Sequence, residues 1–167
     1  MTDNAQGTDS LRRLVVLVDA SHASRAALEE AADLAARSGA ELVGLFDSAT
    51  GFDRPRAIKL AESCAGRTAE ARFTLTLDLI DRFLSRAARA GLAGPPADQG
   101  AAGEARLLAR LAPDARAARA WATLAQEVSD RTRHGKAVNL DPALLILDTV
   151  LRIEQTAQRT VADATTA

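Results

Sequence analysis

Few residues in this chain have the chemistry of a catalytic or metal-binding site. Its 167 residues include two histidines, His22 and His134, and one cysteine, Cys64. A His-centred metal site or a nucleophile–base pair needs a further ligand or base held close by. The two histidines lie in different segments, far apart in the chain, so neither chemistry is supported. Cys64 is close to Glu62 and Arg67 and falls where a helix is ending. That is the wrong dipole end for lowering a thiol pKa, so a small semi-buried side chain is expected. Asp78 and Asp81 share one helical turn, a spacing at which two carboxylates can share a proton or hold a metal. Arg82 and Arg86 on the same helix can pair with them, and a solvated charged face is expected. The glycine-rich phosphate cradles G-x-x-x-x-G-K-[ST] and G-x-G-x-x-G are absent, as is the G-x-S-x-G nucleophile turn. Gly135-Lys136 lacks both the upstream glycine and the following hydroxyl. The chain is expected not to be an enzyme by itself, with no metal and no cofactor.

Charge and composition exclude further classes. With 21 basic and 22 acidic residues the formal charge is −1. A stand-alone nucleic-acid binder usually carries a strongly basic footprint. Aromatics are 3% and tyrosine is absent, too little for a base-stacking platform. A hydrophobic fraction of 47% with 26% charged residues predicts a packed globular core. A single cysteine excludes a disulfide framework and fits a reducing cytosol. Of the basic residues 19 are Arg and two are Lys, which with the abundant Ala reads as compositional bias rather than chemistry. Arg82, Arg86, Arg89, Arg106, Arg110, Arg116 and Arg119 make a basic run without aromatic interleaving, expected as a partner or solvent face. Met1–Ser10 is polar and has no targeting pattern. The longest apolar runs, Leu14–Val18 and Ala143–Leu147, are far shorter than the roughly 20 residues of a membrane span. A cytoplasmic location is expected.

The elements that would position these residues fall into two groups. Leu14–Val18 is a short, continuous, β-branched run, as in a strand buried on both faces. Asp19-Ala-Ser-His-Ala-Ser24 offers N-caps for a helix with Ala27, Leu28, Ala31, Leu34 and Ala35 on one stripe, ended by Ser38-Gly39. Glu41–Phe46 reads as a second strand, which makes residues 1–46 a βαβ segment. No strand signal recurs after it. A short helix runs from Asp53 to about Cys64. Over Ala69–Ala90, Phe73, Leu77, Ile80, Leu84 and Ala87 recur at helical steps, with Leu75, Leu79 and Phe83 widening the face, as in a helix central to a bundle. After a Gly/Pro-rich linker at 91–100 come helices over Gly103–Leu111 and Asp114–Arg133, the second with Ala117, Trp121, Leu124 and Val128 on its core face and Gly135 beyond its end. Asp141-Pro142 starts the last helix. Leu144, Leu147 and Leu151, flanked by Ile146, Val150 and Ile153, give it a broad apolar face to about Gln158. The expected fold is mostly α: a bundle of about five helices over 47–158, preceded by the βαβ segment and followed by a frayed tail at 159–167.

Two stretches resemble known families. Leu45-Phe-Asp-Ser, Phe52-Asp-Arg-Pro-Arg-Ala-Ile-Lys-Leu-Ala-Glu-Ser-Cys-Ala-Gly66, Phe73-Thr-Leu-Thr-Leu-Asp-Leu-Ile-Asp-Arg-Phe-Leu84, Trp121-Ala-Thr-Leu-Ala-Gln126 and Val138-Asn-Leu-Asp-Pro-Ala-Leu-Leu-Ile-Leu-Asp148 follow one another in order. They resemble the C-terminal collar domain of the delta-prime subunit of the bacterial DNA polymerase III clamp loader, over about residues 45–158. The N-L-D-P start of the last helix, after a Trp-containing helix, is the most specific element. The resemblance implies a non-catalytic scaffold in DNA replication, a hetero-oligomer packing against delta and tau/gamma subunits and meeting DNA only indirectly. That family's nucleotide-binding-like domain, with its zinc module and arginine finger, has no counterpart here.

Residues 12–46, through Arg12-Arg-Leu-Val-Val-Leu-Val-Asp-Ala-Ser21, Ser24-Arg-Ala-Ala-Leu28 and Gly39-Ala-Glu-Leu-Val-Gly-Leu45, are similar to the start of a universal stress protein. That resemblance implies, as the alternative, a small nucleotide-binding protein in which Asp19 contacts an adenine nucleotide; the family's Gly-rich phosphate motif is missing. The two patterns meet near Gly44–Asp47, as in a fused, misassembled or artificially generated chain.

Overall fold

Three of the helices begin at an aspartate whose carboxylate satisfies a backbone amide of the first turn. The computed structural model describes residues 37, 39–46, 52–98 and 100–166. They form α1 (39–46), α2 (Arg54–Glu62), a 3₁₀ turn (Arg67–Ala69), α3 (Glu70–Ala93), α4 (Glu104–Leu111), α5 (Ala115–Ala137) and α6 (Pro142–Thr166). Among the described residues there is no strand. The side chains of Asp53, Asp114 and Asp141 accept from the first free amides of α2, α5 and α6, at 3.0 Å from Arg56 N, 2.8 Å from Ala117 N and 2.8 Å from Ala143 N. Each such cap stabilises its helix by about 1 kcal/mol.

The expected second strand, Glu41–Phe46, is helical. Leu42, Val43, Leu45 and Phe46 are all buried, whereas strand alternation would turn every second residue outward. A short apolar run suits a buried helix turn as well as a buried strand, and its surroundings decide. Phe46 stacks on Phe52 and Phe83, with centroids 5.6 and 5.9 Å away, and Phe83 meets Trp121 edge-on at 6.3 Å. α1 therefore belongs to the bundle core, and all six helices lie in the unit Ser38–Ala167, which reaches back across the expected boundary at 46. The first expected strand, Leu14–Val18, and the helix after it lie outside the described residues.

α3 is the central helix, and α5 is its principal neighbour. Phe73, Leu77, Ile80, Leu84 and Ala87 are all buried, as their spacing requires. Gly91, expected in the linker, is instead in the last turns of α3 at its closest approach to α5. A Cβ there would meet the Asp114 carbonyl oxygen and lie 2.9 Å from the Ala118 Cβ.

α5 runs past Arg133 to Ala137 because its stop signal is Asn139 rather than Gly135. Asn139 takes the left-handed conformation, φ 54°, which a short polar side chain tolerates. Its amide bonds Lys136 O and the Leu140 amide bonds Gly135 O at 2.9 Å, the paired closure of a Schellman turn. Gly135 stays inside the helix, where an added Cβ would lie 3.1 Å from Leu145. α6 continues to Thr166 instead of fraying after Gln158, with Thr160 buried.

One ion pair sits in the interior. Arg86 and Glu104 are each about 6% exposed at their side chains. The guanidinium donates to both carboxylate oxygens, at 2.7 and 3.0 Å. It also donates to the Asp98 carbonyl, while Glu104 accepts from the Gly100 amide at 2.6 Å. The connection between α3 and α4 is thereby tied to α3.

Two stability tests follow from this packing. Glu104→Leu leaves the buried Arg86 only the exposed Asp98 carboxylate, 3.6 Å away, and Arg86→Met leaves Glu104 without its cation; each is expected to cost about 3–5 kcal/mol in urea unfolding, and the double variant should recover most of that loss. Gly91→Ala gains about 1 kcal/mol in helix propensity but presses a Cβ on α5 backbone that cannot yield, at about 1–3 kcal/mol. A lowered melting temperature is expected, and a raised one would contradict the close approach.

Candidate interaction surface

The described residues with chemical potential are dispersed rather than convergent. Cys64 is fully buried, its Sγ 3.5 Å from the Thr76 Oγ1, so the thiol is a core residue. Trp121 is also fully buried, and its indole N–H donates to the Leu111 carbonyl at 2.8 Å. His134 is exposed on the last turn of α5. Asp19 and His22 lie outside the described residues. Among the described residues no group of three or more His, Cys, Asp or Glu side chains is placed to hold a metal. None of these helices is long and apolar enough to cross a membrane.

The arginine run does not form one face. Arg86 is buried on Glu104, Arg110 donates to the Phe46 carbonyl, and Arg116 pairs with Asp163 at 3.0 Å. Arg86 is therefore not a partner for Asp78 and Asp81, contrary to the expectation for that helix. Those two carboxylates are exposed. Partial burial pushes the Asp78 pKa up; the nearby Lys136 charge opposes this, and the negative Asp81 adds to it. Lys136 itself stands over the Phe73 ring, 5.5 Å from its centre. The ammonium connecting Asp78 to α5 has no sequence signal, because it comes from a distant helix.

The feature that does converge is apolar. On α6, Ile146, Val150 and Ile153 are fully buried and supply the core. Leu144 is 67% exposed, and Leu147 and Leu151 are only half-buried. The expected single broad face is thus two faces, and the stripe placed at its centre is the outer one. Ile146, Val150 and Ile153 turn into the core, whereas Leu147 and Leu151 lie at the edge of α6 that looks toward α2. Ile58 of α2, 45% exposed, joins the outer stripe. Together with Phe52 and Ala57 it lines a groove whose other wall is Leu147, Leu151, Gln155 and Gln158. Val138, 50% exposed, and Leu140, 53% exposed, carry apolar surface on to the α5–α6 turn. Ile58 was not singled out by sequence, since its helix is short and only the tertiary fold sets it beside α6. The apolar groove between α2 and α6 is the feature with the character of a contact surface.

Because the folded chain holds the Asp78 proton more tightly than the unfolded chain does, stability falls as pH rises through its raised pKa. Asp78→Asn is expected to melt at or above the parent temperature at pH 7 and to show no such advantage at pH 3. A lower melting temperature at pH 7 alone would mean that the Lys136 attraction outweighs burial. No known protein family, curated protein or solved structure matches the chain.

Proposed function

We propose that this chain is a non-catalytic interaction scaffold of the delta-prime collar type, acting in the cytoplasm within the DNA polymerase III clamp loader. The observation that carries the reading is the outward apolar stripe of α6, beside α2, on a folded helical bundle. Leu144 is exposed, and Leu147 and Leu151 are half-buried with Leu147 resting on the core, so this edge of α6 leaves apolar surface that an assembly partner would cover. Two further features support it. The N-L-D-P segment starts α6 through the Asp141 cap with Pro142 first in the helix. Residues 39–46 are helical, so the strand that the universal-stress alternative implies at Glu41–Phe46 is not formed.

On this reading delta and tau/gamma subunits pack against the bundle, and DNA is reached only through the assembled ring. The test is size-exclusion chromatography of the full chain, alone and mixed with purified delta and tau/gamma subunits. Co-elution is expected with at least one of them. Separate elution at concentrations well above micromolar would remove the clamp-loader assignment.

A further inference from the structure

α5 and α6 are close at their shared turn, where Gly135 admits Leu145, and farther along they leave a cleft of about 270 Å³ between them. Small side chains make the space: Ala117 and Ala120 of α5 face Thr156 of α6, and the buried Leu124 adds an apolar floor.

The charges lining this cleft divide into those already engaged and those that are not. Asp114 caps α5 through the Ala117 amide at 2.8 Å, and Arg116 pairs with Asp163 at 3.0 Å across the two helices. Arg159 and Glu127 remain, a cation on α6 and a carboxylate on α5. They form no ion pair with each other. Arg159 donates to the Thr156 hydroxyl oxygen at 3.1 Å, and Glu127 has no partner among the described residues.

Thr156 is 2% exposed, yet its hydroxyl hydrogen has no acceptor among the described residues. The buried Thr149 and Thr160 hydroxyls, by contrast, donate to carbonyls of their own helix at 2.7 and 3.1 Å. A buried donor without an acceptor is costly. A carboxylate in the cleft would take that hydrogen bond and a charge-assisted one from Arg159. An ammonium on the same molecule would meet Glu127.

We propose that the cleft binds a small aliphatic amino acid as its zwitterion. Its carboxylate rests on Arg159 and Thr156, its short carbon chain on Ala117, Ala120 and Leu124, and its ammonium on Glu127. The site shares no residue with the α2–α6 groove, so its occupancy does not depend on a subunit contact there.

The probe is γ-aminobutyrate, whose charges a short carbon chain separates, titrated into the isotope-labelled full chain and followed by amide NMR shifts. Butanoate and butylammonium are the single-charge controls. Shifts at Thr123, Glu127, Thr156 and Arg159 are expected, with each control about tenfold weaker or worse. Thr156→Val keeps the shape of the side chain and should weaken binding about tenfold while circular dichroism stays unchanged. Glu127→Gln, at an exposed position, should bring the zwitterion down to the affinity of butanoate. Equal binding of the zwitterion and a control, shifts confined to other parts of the bundle, or no shift at tens of millimolar ligand overturns the proposal. Unchanged affinity in either variant does the same.

Discussion

The bundle depends on one buried pair of opposite charges. Arg86 sits in the C-terminal half of the central helix α3, and burial of a lone guanidinium there costs several kcal/mol. Glu104 offsets that cost only because the α3–α4 connection returns to the right place, and the return is itself fixed by the pair through Asp98 and Gly100. α4 has eight residues, too few to persist alone. It is held at its start by Arg86, at its end by the Trp121 indole on Leu111, and between them by burial of Leu107 and Leu108. A lysine at 86 would supply charge without the planar fork that meets both carboxylate oxygens and a carbonyl at once. The abundance of arginine reads as compositional bias in the sequence, and at this position the guanidinium has a defined structural role once Glu104 is present.

Much of the helical part was legible from the residues. The aspartates at 53, 114 and 141 announce helix starts because their carboxylates satisfy amides only a few residues away, a local matter that spacing exposes. The α3 stripe was legible for the same reason: its period is long enough to be unambiguous. Glu41–Phe46 was not, since six residues of apolar character suit either a strand or a helix until Phe52 and Phe83 are known to lie against them. Gly135 misled because glycine is the usual helix stop, yet its lack of a side chain is used laterally, to admit Leu145 and Leu140 from the next turn.

The site was less legible than the fold for a related reason. Burial of Trp121 followed from its neighbours on one helix, whereas Cys64, expected semi-buried, is fully buried just beyond the end of α2. The assignment of leucines to the inside or outside of α6 depends on where α2 and α5 lie, which periodicity within α6 does not specify. The same holds for Asp78, whose environment includes an ammonium from α5. Asp19, the residue on which nucleotide binding would turn, lies outside the described residues.

The aromatic line from Phe52 through Phe46 and Phe83 to Trp121 has an optical consequence. With no tyrosine and one tryptophan in the chain, long-wavelength emission comes from a single indole, sealed from water and bonded to the end of α4. Its colour reports whether that one junction is dry, while the outer wall of α6 stays spectroscopically silent. Loosening at the centre of the bundle is therefore observable in the unmodified chain, and an event confined to its surface leaves that emission unchanged.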